Sequence, residues 1–109
     1  MALSKTQIID AVGICKQTGC VVLSLMDEED WGEESEHIKL LEGKLSNYLR
    51  FVESGDMVKA YPKAQGRTAR IEIRGRCRPT SGAQQFLDHT SERIQAKGID
   101  IQISYEEPR

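Results

Sequence analysis

The densest chemistry in this chain is a run of carboxylates. Asp27, Glu28, Glu29, Asp30, Glu33, Glu34 and Glu36 place seven acids in ten residues, with no base among them. Oxygen ligands suit hard cations such as Mg²⁺ or Ca²⁺, so a metal-dependent enzyme built on Asp27–Glu36 is one reading. The spacing lacks the alternate ligands, central glycine and terminal glutamate of a calcium loop. The expected state is a solvated loop whose later carboxylates favour the N-terminus of the helix that follows, with no metal bound. The opposite charge gathers downstream. Lys59, Lys63, Arg67, Arg70, Arg74, Arg76 and Arg78 stand against Glu72 alone, a local balance of +6. Guanidinium forks at Arg70 and Arg74 could hold phosphates or a carboxylate-rich partner, so nucleic-acid or anion binding through Arg70–Arg78 is a second reading. Binding of single strands usually adds aromatic stacking platforms, and the neighbouring outward positions carry none, so nucleic acid is not the expected partner.

Cys15 and Cys20 flank Lys16-Gln17-Thr18-Gly19, a stretch of hairpin-turn length. Paired strands can bring two such cysteines within disulfide reach, which makes them a candidate redox pair, although a reducing compartment keeps them as thiols. Cys77 is expected as a small buried residue. His37 and His89 form no ligand motif and are expected on solvated helix surfaces. Trp31, the only tryptophan, sits among carboxylates. It is either a lid on the end of the core or an anchor for a partner. Nucleophile elbow, phosphate-cradling loop and dinucleotide fingerprint are all missing, and no cofactor is expected.

These residues need a scaffold, and 109 residues suffice for a single domain, 1–109, with its own core. The net charge of −2 supplies no global pull toward nucleic acid or anionic membrane. No apolar run approaches the ~20 residues of a membrane span. Met1–Gln7 lacks the basic-then-apolar build of a secretory leader, so the cytoplasm is the expected location.

Residues 8–15 and 20–27 are apolar and β-branched and read as an antiparallel hairpin. Ile38, Leu41, Leu45, Tyr48, Leu49 and Val52 recur at steps of three and four and predict a long helix, with Gly55 just past its end. One more short turn fits Asp56 to Tyr61, and Pro62 follows. Ile71 and Ile73 alternate with Arg70, Glu72 and Arg74, a half-buried strand in which Gly75 could introduce a bulge. Ser81 and Gln84 stand at capping-box spacing before a second helix with Phe86, Leu87, Thr90 and Ile94 inside and Gly98 at its end. Strict alternation over Ile99–Tyr105 predicts a last strand. The expected fold is α/β, an α+β two-layer sandwich ordered β-β-α-β-α-β. It has a four-stranded mixed sheet with two helices on one face and the other face open to water. The strand order is left open.

Met26-Asp27, Asp30-Trp31, Lys44-Leu45-Ser46-Asn47-Tyr48-Leu49-Arg50-Phe51-Val52-Glu53-Ser54-Gly55 and Tyr61-Pro62 together resemble a family of small uncharacterised bacterial proteins. Members share an acidic strand end, a tryptophan, a Lys-Leu-Asn-x-Tyr-Leu-x-Phe helix and a Tyr-Pro pair. This chain carries Asp30 where members often have proline. The resemblance implies a cytoplasmic bacterial α/β domain and assigns no chemistry. The leading expectation is a small non-catalytic module that binds a protein partner, with a homodimer through the last strand or the open face.

Overall fold

The structure, a computed structural model, describes residues 9–29 and 31–105. Ile8, where the first strand was expected to begin, and Asp30 lie outside them. Strands β1 (Ala11–Ile14) and β2 (Val21–Asp27) form the expected antiparallel hairpin, with Ile14 opposite Val21 and Ala11 opposite Ser24. Its turn closes through hydrogen bonds from Cys15 N–H to the Cys20 carbonyl (2.9 Å) and from Gly19 N–H to the Cys15 carbonyl (2.8 Å). Gly19 takes a φ of 77°, a left-handed conformation that glycine reaches without steric cost. The first strand is shorter than 8–15 at its start because Asp10 N–H leaves the ladder and donates to the Tyr48 hydroxyl at 2.9 Å.

Helix α1 (Glu34–Glu53) carries the predicted apolar stripe, and Glu34 and Glu36 lie in its first turn. Gly55, at φ 90°, turns the chain into the short helix α2 (Asp56–Ala60). A 3₁₀ turn at Pro62–Ala64 leads to β3 (Ala69–Gly75). Helix α3 (Ser81–Ala96) begins one residue earlier than the capping-box spacing implies. Thr80 is its cap, accepting Ala83 N–H at 3.2 Å, while the Gln84 amide turns to Asp88 at 3.0 Å. Strand β4 (Asp100–Tyr105) closes the fold.

The four strands lie in the order β1-β2-β3-β4, with β2, β3 and β4 parallel. Leu23, Leu25, Ile71, Ile73 and Ile101 face the helices and meet Leu41, Leu45, Tyr48, Leu87 and Ile94 in one core. Arg70, Glu72 and Arg74 occupy the opposite, open face with Asp100, as the alternation of β3 predicts. No bulge interrupts the register at Gly75, which pairs with Asp27 on one side and Tyr105 on the other. Among the described residues, no helix is long and apolar enough to cross a membrane.

Candidate functional site

The row formed by Asp27, Gly75 and Tyr105 marks the carboxyl end of the three parallel strands. Asp27 continues the inward alternation Val21, Leu23, Leu25 and is 1% exposed, so the acidic run is not uniformly solvated as expected. His37 of α1 is likewise 3% exposed, which corrects its reading as a solvated helix residue. It lies four residues before Leu41, on the apolar stripe itself, where burial follows position and not residue type.

Asp27 gathers donors from three elements. His37 Nε2 lies 2.6 Å from Oδ2 and 2.7 Å from Oδ1, the Tyr105 hydroxyl donates to Oδ2 at 2.7 Å, and Glu29 N–H donates to Oδ1 at 3.1 Å. A carboxylate offers only acceptors, so the imidazole N–H must be the donor. Trp31 stacks on the imidazole with ring centroids 3.5 Å apart and planes 16° from parallel. Its indole N–H donates to the Cys77 carbonyl at 2.9 Å, and the ring is 8% exposed. Cys77 itself is only half-buried, less than expected. Burial first, then the charge of Asp27, pushes the Tyr105 hydroxyl well above the usual tyrosine range. The result is a clasp that ties the end of β2 to the start of α1 and the end of β4.

His37 also forms part of the wall of a 410 Å³ cleft with Glu28, Glu29, Glu33, Glu36, Leu40 and Arg76. The imidazole is held by Asp27 and covered by Trp31, so it serves the cleft as a fixed wall. Among the described residues, no three histidine, cysteine or acidic side chains converge as metal ligands would.

A second ion pair, its lysine fully buried, lies at the middle of α1. Lys44, 0% exposed, places Nζ 2.8 Å from both carboxylate oxygens of Asp10. Asp10 also accepts Met26 N–H at 2.8 Å, and the Tyr48 hydroxyl donates to the Ser24 carbonyl at 2.6 Å. Burial pushes the Tyr48 hydroxyl far above its ordinary range. Sequence reading missed this pair because neither member is apolar and 34 residues separate them. The spacing of Lys44 from Leu41 and Tyr48 is the one signal that could have found it.

The arginine strand is internally compensated. Arg70 Nε donates to Asp100 at 3.0 Å, a bond that raises its affinity for the proton, and Nη1 lies 3.6 Å from Glu72. Arg74 pairs with Glu72 at 3.2 Å and is more exposed than Arg70. Arg76 lies at the acidic cleft instead.

At the hairpin, Cys15 is partly exposed and Cys20 is buried, and both are free thiols. The Thr18 hydroxyl donates to Cys20 Sγ at 3.0 Å. The Cys15 thiol is lowered to about 7, first by its hydrogen bond with the Thr18 side chain and then by the backbone N–H groups of Thr18 and Gln17.

At the far edge of the sheet, β4 pairs with β3 and with no other strand among the described residues. A 380 Å³ groove runs along it on the helix side, between Ile101, Ile103 and Tyr105 and the α3 residues Gln84, Asp88 and Ser91. Comparison with curated proteins and with solved structures found no match. The model of a family of unknown function, DUF6572, matches residues 1–107, and the chain belongs to that family.

Proposed function

We propose that this chain is a non-catalytic, cytoplasmic interaction module of bacterial origin that pairs with a second copy of itself along β4. The observation that carries this reading is the outer edge of β4, which no other strand of the described residues covers, beside its groove. Asp100–Tyr105 contains no proline, lysine or glycine, the residues that ordinarily guard an edge. An added strand would gain main-chain hydrogen bonds along the edge, and alternate side chains would enter the groove.

The edge is self-complementary. In a two-fold antiparallel pairing centred on Gln102, opposed residues share a face. Asp100 then meets Ser104 of the second copy, Ile101 meets Ile103, and no like charges face each other. Three free thiols suit a reducing compartment. The competing reading of β3 as a polyanion site is weakened by the pairing of Arg70 and Arg74 with Asp100 and Glu72. Light scattering at tens of micromolar should give a dimer. Gln102→Lys sets two ammonium groups opposite each other and should give a monomer with unchanged circular dichroism. A monomeric wild type, or a dimer indifferent to Gln102→Lys, overturns the proposal.

A further inference from the structure

We propose that Cys15 and Cys20 form a reversible dithiol–disulfide pair that reacts with small anionic disulfides of the glutathione type, Cys15 attacking and Cys20 resolving. The register that sets Ile14 beside Val21, carried one residue further, sets Cys15 against Cys20, and the hydrogen bond from Cys15 N–H to the Cys20 carbonyl holds them there, while the Cys15 carbonyl is taken by Gly19 N–H. Opposed residues in a hydrogen-bonded antiparallel pair have Cα atoms about 5.5 Å apart, inside the ~4.4–6.8 Å window of disulfides. Opposed side chains also share a face, so the sulfurs point to the same side of the hairpin.

The two thiols are unequal in a way that divides the labour. Cys15 is partly exposed, whereas Cys20 is 6% exposed and covered by the Thr18 hydroxyl. An incoming disulfide therefore meets Cys15 first. The Cys15 thiol is lowered to about 7, which favours the thiolate that attacks. Two cationic side chains flank the hairpin: Lys16 lies in the turn, and Arg67 Nη1 donates to the Gly19 carbonyl at 2.9 Å. This favours a disulfide bearing carboxylates over a neutral one.

The exchange balances in two steps. The Cys15 thiolate attacks one sulfur of the oxidised tripeptide, forming a mixed disulfide and releasing one tripeptide thiolate. Cys20 then gives up its proton and attacks the Cys15 sulfur, the Cys15–Cys20 bond forms, and the second tripeptide thiolate leaves. Two electrons pass from the protein to the oxidant. Because the bridge closes a very short loop, it removes little entropy from the unfolded chain, which suits a reversible pair better than a structural staple.

The test uses the full chain with Cys77→Ser, reduced and then exposed to oxidised glutathione at neutral pH, with acid quenching and intact mass measurement. The expected product has lost two hydrogens, and the mixed disulfide is only transient. Cys20→Ser, or Cys20→Ala should the buried hydroxyl impair folding, should stop at one tripeptide on Cys15. Cys15→Ser should react at least about tenfold more slowly, since a covered thiol is poorly reactive. A lasting mixed disulfide on Cys15 with Cys20 intact, or Cys15→Ser reacting at the parent rate, overturns the pair. Equal rates with bis(hydroxyethyl) disulfide overturn the preference for an anionic oxidant.

Discussion

The ring of Tyr105 fills the space that a side chain at Gly75 would occupy. A Cβ on Gly75 would lie 1.9 Å from both Cδ2 and Cε2 of that ring. The glycine is therefore required for contact and not for a bulge, and the contact lets the Tyr105 hydroxyl reach Asp27. Gly75→Ala must displace the ring, at an overpacking cost of about 1–3 kcal/mol in urea unfolding. Tyr105→Phe keeps the ring and loses a bond to a carboxylate, worth about 1.5–3 kcal/mol. The double variant should be less destabilised than the sum, since the alanine already breaks that bond.

Lys44 and Asp10 predict a different asymmetry. Lys44→Met leaves the partly exposed Asp10 carboxylate with Met26 N–H but without its ammonium partner, and the expected loss is about 1–3 kcal/mol. Adding Asp10→Leu should recover a large part of it, because the orphaned charge is then gone. Chemical denaturation of the two variants checks this. Equal stability of Lys44→Met and wild type would show that the pair carries no weight.

Alkaline pH should unfold the protein through Tyr48, which is buried, and Tyr105, which is partly buried. The hydroxyls of Tyr48 and Tyr105 are both pushed up, burial being the larger cause in each. In the unfolded chain they ionise near the ordinary value of about 10. Their contribution is therefore complete below that value and lost as pH rises above it. In a Tyr61→Phe background, tyrosinate absorbance should appear together with the loss of circular dichroism. Absorbance that develops while the fold persists would contradict the raised hydroxyls of both residues.

Cys15 carries the opposite sign. Its thiol is lowered to about 7 in the folded chain, so the stability it adds is present at alkaline pH and declines as pH falls through 7. Alkylation by iodoacetamide, followed by peptide mapping, should show Cys15 reacting with a midpoint near that pH. Thr18→Val removes the leading hydrogen bond and should move the midpoint upward.

Periodicity alone exposed the elements of this fold, because each strand buries one face and α1 carries a continuous apolar stripe. Ile71 and Ile73 against Arg70 and Arg74 left no other orientation for β3. Residue type failed where polar groups occupy inward positions. His37 and Lys44 sit on the same helical stripe as Leu41, Leu45 and Tyr48, but their types point to solvent. What reverses that preference is a carboxylate brought from another element, Asp27 for one and Asp10 for the other. Such partners are set by strand order, which no local window contains. For the same reason, Asp27 read as one acid among seven until the alternation of β2 was followed to its last residue.

The strand order repeats the chain order, and this bears on how the molecule assembles. Each strand has as its partner the strand just before or after it in the sequence, so the sheet can grow by successive addition without threading a strand between two others. Only the β1–β2 hairpin is local in sequence; the parallel pairings set Val21 beside Ala69 and Arg70 beside Asp100, so they carry the larger loop-closure cost and form later. The same order grades local stability. Among the described residues, strands β2 and β3 are flanked on both sides, while β1 and β4 each rest on a single neighbour. Amide exchange should therefore be slowest in β2 and β3 and faster at both outer strands. The molecule would open from its sides inward, and β4 could detach while the hairpin and α1 remain folded.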